Sequence, residues 1–402
     1  MNTSRLSTSV QLHPRISDIT AADWDQLAGK SDPFLSHAFL NALETEGCVG
    51  EEFGWYPQHL TLHRQGQIVA AMPMYIKTNY YGEFVFDWSW DSAYQSAGKA
   101  YYPKLVVSIP YSPVTGARLL ADSDEDKLRL IQAAKQVCKE NKFSSVHWLF
   151  PHSADMALLI QSGLIPRMGC NYHWHNQDYQ DFPEFLQTLR ASKRKKINRE
   201  RRRVAEQGID MCCYSGKEIS DQAMADFHRF YTDTFDKHLG LATLSLSFFL
   251  TLRDQLEDAV LLVMAEKEGK AVAGAIFFRS TGTLFGRYWG CDQDYNALHF
   301  EACYYQGQQI AIDARLKYFE PGVQGEHKIS RGFLPTATWS AHWIEDQGFH
   351  SIIANYCRHE QEAMEEQCLM LYSRSPYKHE TTPPAQVLLS DDQTDLAGPV
   401  ST

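Results

Sequence analysis

Residues 58–64 and 68–77 read as strands from their apolar patterning, joined at Gln65-Gly66-Gln67, a hairpin signal. Further on, Ser123 is placed to cap a helix running to about Asn141. Acids fill its first turn and lysines its last, as the helix dipole favours. A short strand at 145–150 then stops at Pro151. The order recurs later in the chain. Residues 260–266 and 271–279 flank the turn Glu268-Gly269-Lys270, and 283–290 adds a further strand. A helical stretch at 298–315 leads to a strand at 318–320 that ends at Pro321. Hairpin, long helix and proline-stopped strand in both halves predict two similar domains of mixed α/β class. We place them at 16–180 and 181–374. The polar, proline-containing residues 375–402 are expected to form a disordered tail.

Between the halves, Leu186, Leu189, Lys193, Ile197, Glu200 and Val204 recur at helical spacing and predict a helix with a narrow apolar stripe, stopped near Gly208. Its other faces are basic. From 190 to 203 there are nine Lys and Arg against one acid, Glu200. That segment carries +8 and leaves −19 for the remainder of a chain whose total is −11. Such segregation suggests a local anion site on an acidic body, with Lys193, Arg194, Arg201 and Arg202 as candidate anion ligands. The alternative is a solvated helix face.

The length, 402 residues, fits two domains, and 44% hydrophobic with 22% charged residues fits a globular protein. No apolar run approaches a membrane span, and the first fifteen residues lack the apolar core of a signal peptide. The nine cysteines are scattered without CxxC spacing, which predicts reduced thiols in a cytoplasmic protein. His173-Trp174-His175 and Cys212-Cys213 lack a second ligand pair at zinc spacing, so no metal is expected.

The densest chemistry lies just after the second proline-stopped strand. Residues 319–333 read FEPGVQGEHKISRGF, so Gly322 and Gly325 let the backbone turn among Glu320, Glu326, His327, Lys328 and Arg331. A glycine-containing turn at a strand end is where open α/β sheets tend to take ligands. One loop here offers a general base (Glu326 or His327, with Glu320 and, outside the loop, Glu301 behind), a cation for a developing oxyanion, and a clamp in which Lys328 and Arg331 hold a phosphate or carboxylate, Arg331 bidentately. The competing reading is a structural ion-pair network among the same residues.

Several motifs together resemble a known family. They are Ser36-His37-Ala38-Phe39-Leu40, Phe86-Asp87-Trp88-Ser89-Trp90, Tyr101-Tyr102-Pro103-Lys104-Leu105, Pro113-Val114-Thr115-Gly116, Gly286-Arg287-Tyr288-Trp289-Gly290, Leu298-His299-Phe300-Glu301 with Cys303-Tyr304-Tyr305-Gln306, and the loop just described. In these the chain, over residues 34–372, resembles the FemAB-like predicted N-acyltransferases, a bacterial family associated with peptidoglycan biosynthesis or recognition. The resemblance implies two tandem GNAT-like domains with mixed, mostly antiparallel sheets. In the more distantly related Fem peptidyltransferases, such domains move an amino acid from aminoacyl-tRNA onto an amine of a cell-wall precursor. A basic helix precedes their second domain, and residues 193–203 match it in character. The chain lacks an obvious counterpart of the helical arm those enzymes insert for tRNA.

An N-acyl transfer of this kind implies further site residues. His299 and Glu301, at the predicted helix start, would sit by the donor. Tyr288, at a strand end, and Asp87, Trp88, Tyr102 and Lys104, in the first domain, would line an acceptor cleft. Each also has a plainer reading, as capping or core. No tightly bound cofactor is expected. The donor is aminoacyl-tRNA or acyl-CoA, and no standard R/Q-x-x-G-x-G/A pyrophosphate loop occurs for the latter. The acceptor would be a peptidoglycan precursor or a small molecule, with tRNA a partner if it is the donor. The rival from another class is a non-catalytic scaffold that binds a precursor or RNA.

Overall fold

The computed structural model describes residues 8–29, 32–237, 240–323 and 325–378. The chain divides into two compact units. Among the described residues, one comprises those up to 170 together with 337–367, the other 171–336 with 368–378. The sequence-based division put the boundary at 180 and kept 337–367 in the second domain. The structure returns that segment to the first unit because the strand Leu334–Ile344 pairs there with Ser145–Leu149. The segment 375–378, assigned above to a disordered tail, is built in. Tyr377 bridges to Leu189 and its hydroxyl donates to the Gly332 carbonyl at 2.8 Å. The remainder of that tail, 379–402, lies outside the described residues.

In the first unit the hairpin His59–Arg64/Gln67–Met72 forms a four-stranded antiparallel sheet with Thr8–His13 and Leu120–Ala121. The stretch expected as one strand at 68–77 is two. Pro73 has no N–H to give a ladder, and Met74–Lys77 leaves to pair with Trp55–Pro57 and Lys104–Val107 in a different sheet. The helix Asp124–Glu140 starts where expected, with Ser123 accepting from the Asp126 amide. Its Leu130, Ile131, Ala134 and Val137 close over Leu60, Leu62, Met72, Val146 and Trp148 in one core. Removal of that apolar surface from water stabilises the layer by roughly 1.5–3 kcal/mol per large side chain.

The second unit carries the other hairpin. Ile209–Ser215, Val260–Lys267, Lys270–Arg279 and Thr283–Cys291 are antiparallel neighbours in that order. Tyr318–Glu320 then adds in parallel to Thr283–Cys291, and only as far as Phe285↔Glu320. Beyond it the chain turns away at Pro321, while Thr283–Cys291 continues to Cys291. That parting of two parallel strands brings the glycine-containing loop to the sheet. The helical run expected at 298–315 forms as Leu298–Phe300, a π-helical turn Glu301–Tyr305, and Gln306–Asp313. The basic helix spans Ala191–Glu206 and buries Ile197, Glu200 and Val204.

Candidate functional site

After Pro321 the loop passes Gly322 and Gly325, both at positive φ, and folds into the 3-10 helix Glu326–Arg331. A Cβ on Gly325 would meet the His327 ring at 2.2 Å, so glycine is needed here for space as well as for its φ of 97°. The short helix buries Lys328, Ile329 and Arg331 and leaves Glu326 and His327 exposed. A single turn thus sorts the charged residues of the loop into two populations.

Arg331 is buried. Its Nη2 lies 2.9 Å from each oxygen of Glu200, and its Nε donates to the Tyr305 hydroxyl at 2.9 Å. Tyr305 in turn donates to Glu200. The guanidinium sits 3.5 Å from the centre of the Phe300 ring, and its Nη1 donates to the His327 carbonyl at 2.8 Å. Arg331 is therefore not the exposed anion clamp expected from the sequence. Its donors already point at Glu200, Tyr305 and His327, and its role is to hold the 3-10 helix against the basic helix.

The basic helix is docked a second time by the opposite polarity. Arg201 places Nε 3.2 Å from both oxygens of buried Glu301 and lies over the Phe182 ring at 4.7 Å. The Gln306 amide donates to the same carboxylate at 2.7 Å. This corrects two expectations. Arg201 is tied to a carboxylate rather than offered to an anion, and Glu301 sets negative charge where a donor phosphate was expected. His299 does not supply an anion site either. Burial and the nearby His327, Lys328 and Arg331 push its pKa down to about 4, so it is neutral. Its ring packs against Trp289, Phe300 and Tyr304.

Lys328 is the unusual group. It is buried, and its ammonium donates to the Gly322 carbonyl at 2.6 Å. No carboxylate acts on it among the described residues, and burial lowers its pKa to about 7. Beside it, His327 Nε2 lies 2.9 Å from the Tyr304 hydroxyl, and burial with the charges of Arg331, Lys328 and Lys196 lowers the imidazole pKa. A lysine that titrates near neutrality thus stands next to a histidine held neutral. Together they can give a proton, take one, or face a developing negative charge.

The remaining candidates divide. Glu326 is exposed and pairs with Arg374 at 2.7 Å, and so falls on the other side of the short helix's sorting from buried Lys328. Glu320 ends the parallel strand with its carboxylate 3.8 Å from His173 Nε2. Tyr288 packs on Tyr231 and Phe249, with the Arg287 guanidinium over its ring. On the basic helix, Lys193 and Arg194 are half-buried, and Arg194 donates to the Leu189 carbonyl at 3.4 Å. Arg202 pairs loosely with Glu206 at 3.6 Å. In the first unit Asp87 and Lys104 are buried against each other at 2.5 Å, joined by Glu83 at 2.9 Å, so neither presents a charge to a ligand. Tyr102 is half-buried with Lys104 over its ring, and Trp88 is exposed.

Sequence reasoning missed Glu200, Tyr304 and Tyr305 as parts of this site. For Glu200 the signal was present, since the sole acid of a basic run fell on the apolar stripe. A charge at a buried helical position asks for a partner. Tyr304 and Tyr305 stand in one of the motifs behind the family resemblance, but nothing there gives them a role; the π-helical turn separates them onto different neighbours, His327 for one, Glu200 and Arg331 for the other.

Comparison with known proteins adds to this geometry. Among solved structures, FemX aligns at 12% identity over 84% of this chain and 98% of its own, with a TM-score of 0.52. The C-terminal domain of a putative lysylphosphatidylglycerol synthetase from Agrobacterium fabrum aligns at 9% identity over 83% and 94%, with a TM-score of 0.51. A tandem GNAT protein of the clavulanic acid biosynthesis pathway aligns more loosely, at 8% identity over 84% and 98%, with a TM-score of 0.44. No curated protein matches. The family described as peptidoglycan biosynthesis/recognition matches residues 15–379, a span that takes in the basic helix, the loop that carries Lys328 and every strand of the two sheets except Thr8–His13. The chain belongs to the FemAB-like family.

Proposed function

We propose that the protein is an N-acyltransferase that moves an aminoacyl group from an aminoacyl ester of tRNA onto the primary amine of a cell-wall precursor in the cytoplasm, with its chemistry at Lys328 and His327. One observation carries the reading: a buried lysine, without a carboxylate partner among the described residues, faces the point where two parallel strands part. The amine nitrogen attacks the ester carbonyl carbon and a C–N bond forms. Neutral His327 takes the proton that the nitrogen sheds and passes it to the departing ribose oxygen as the C–O bond breaks. Protonated Lys328 stabilises the oxyanion between these events. Tyr304 orients the imidazole through its hydroxyl, and Arg331 is a positioning residue acting through the His327 carbonyl.

Support for a polyanionic donor comes from the basic helix. Lys193, Lys195, Arg199 and Arg203 make no ion pair among the described residues, in contrast to Arg201 and Arg202. The family, FemX and the lysylphosphatidylglycerol synthetase domain are in keeping with aminoacyl transfer. Acyl-CoA remains the alternative donor, in which case the same steps break a C–S bond.

The test is donor consumption. Purified protein is given labelled aminoacyl-tRNAs and, separately, acyl-CoAs, with a bacterial small-molecule extract as acceptor. Extract-dependent loss of one aminoacyl-tRNA supports the reading and names the amino acid, whereas release of CoA reassigns the donor. Lys328→Met should lower turnover by about 10²-fold or more while the protein stays folded. Undiminished turnover in that variant would remove the site from the chemistry. The sign of the pH dependence follows from the two groups. His327 must be neutral and its pKa is lowered, so activity persists below the ordinary histidine range. Lys328 must be protonated, so activity falls as pH rises through about 7.

A further inference from the structure

The loop that joins the strand Met74–Lys77 to the helix Trp88–Ser96 puts three large rings into solvent. Tyr80 is 56%, Phe86 58% and Trp88 54% exposed. They touch one another, with Trp88 at 5.0 Å from Phe86 and 5.9 Å from Tyr80 between ring centres. The backbone beneath them is pinned at both ends. The Lys77 ammonium donates to Asn79 Oδ1 at 2.9 Å and to the Tyr81 carbonyl at 3.0 Å. Glu83 and Asp87 both close on buried Lys104, and the Tyr101 hydroxyl donates to Asp87 at 2.5 Å. The patch continues through Arg167. That residue donates to the Phe86 carbonyl at 2.9 Å and to Glu360 at 2.7 and 2.9 Å. Tyr356 donates to the same Glu360 at 3.3 Å, and Ile352 lies one turn before it on the helix Gln347–Tyr372. Tyr356 is 44% and Ile352 64% exposed. Five of the eleven exposed large apolar side chains among the described residues therefore gather here, and such gathering marks an interaction surface.

Charge and area select the occupant. Three cations nearby are spent: Arg167 on Glu360, Lys104 on Glu83 and Asp87, and Lys99 on Asp346. What remains is of both signs, since Asp91 takes only the neutral Gln95 amide and Arg358, on the helix Gln347–Tyr372, only the neutral Asn355 amide. No net positive charge is left to draw a polyanion, and anionic headgroups gain nothing. Five side chains about half exposed offer roughly 400–600 Å², below the ~800 Å² per partner of a standard protein interface. Tyr, Trp and Phe on a rigid, uncharged prominence are the side chains that settle at the boundary of a bilayer, where each ring finds an apolar and a wet side. No helix of the described chain is long and apolar enough to cross a membrane. We propose that this patch is a peripheral docking surface for the interfacial zone of a zwitterionic lipid bilayer. Because the loop is already fixed, insertion of the rings orders little that was not ordered before.

The inference is independent of the catalytic reading and is tested without donor or acceptor. The full chain is sedimented with phosphatidylcholine vesicles at about 0.1 M and about 0.5 M NaCl, a range that screens surface charge. Binding should be nearly the same at both. The variant Tyr80→Ser/Phe86→Ser/Trp88→Ser should partition at least about tenfold more weakly. If that variant unfolds, Trp88→Ser alone should still weaken binding several-fold, and lipid brominated near the headgroup should quench wild-type fluorescence more than that of Trp88→Ser. No sedimentation with phosphatidylcholine would overturn the proposal, as would binding confined to anionic vesicles at low salt. A concentration-dependent dimer lost in the triple variant, with no vesicle binding, would assign the patch to a second copy instead.

Discussion

At the scale of single residues, the pair Glu200–Arg331 shows how a catalytic loop can be held by groups that never touch substrate. Both are buried, each satisfies the other twice, and Tyr305 bridges them. Removal of one partner leaves a buried charge unpaired. Glu200→Gln should therefore destabilise the protein by about 3–5 kcal/mol in denaturant unfolding. Replacing both together, as Glu200→Leu/Arg331→Met, should cost less than Glu200→Gln alone, because no charge is stranded. A double variant worse than the single one would show that each side chain contributes through separate contacts, such as the Phe300 face under the guanidinium. Glu326 offers the contrast. It is exposed on the same short helix with Arg374 for a partner. Although the sequence put it with His327 at the head of the candidate bases, Glu326→Gln should leave turnover within about twofold of the parent.

At the scale of elements, the basic helix divides by face. Glu200 and Arg201 dock it, whereas Lys195, Arg199 and Arg203 lie exposed along the other side. Changing these three to Glu should weaken binding to bulk tRNA and lower the slope of log affinity against log salt by about 2 or more. An unchanged slope, measured by filter binding across a salt series, would make the face merely solvated. Arg201 is unsuited to that experiment, because its loss strands Glu301. Much of this was legible beforehand. The two hairpins, the helix capped by Ser123, the strand Tyr318–Glu320 and the basic helix each announce themselves by local period and punctuation. The loop with Lys328 was legible too, from its glycines and crowded charge. What was not legible depends on distant partners. Glu200 and Arg331 lie 131 residues apart in sequence, and Arg201 and Glu301 lie 100 apart. No short window shows that these charges cancel. The return of 337–367 to the first unit is of the same kind, since strand pairing across nearly two hundred residues leaves no local trace.

At the scale of the whole molecule, buried titratable groups shift together and set how stability should follow pH. His147 and His342 are fully buried and held neutral, with pKa values well below 6.5, and His299 is lowered to about 4. The unfolded chain takes up protons at these positions on acidification and the folded chain does not, so stability is lost as pH falls below 6.5. Glu83 opposes them. Burial raises it to about 7, and its share of stability declines as pH rises from 4.5 toward 7; Asp32 is raised too, but these two stand against six histidines, since His13, His228 and His327 are also lowered. Above neutrality the lysines act. Lys77 and Lys328 are lowered from 10.5 to about 7, so in that interval the unfolded state holds more protons and stability rises with pH. The rise ends when buried thiols enter. Cys138 and Cys357 are raised from 9.0 to about 12, and their contribution, present below 9.0, is lost as pH climbs beyond it. Greatest stability is thus expected near pH 9, well above the isoelectric point of about 5.8. Urea midpoints taken from pH 5 to 10 should climb to that region and then turn down. Lys328→Met should make the climb between about 7 and 9 shallower, because the variant keeps only Lys77 of the two buried amines that deprotonate there. A maximum near the isoelectric point, or a climb untouched by Lys328→Met, would mean that these amines stay charged in the folded protein. That would also undo the alkaline limit on activity proposed for the same lysine.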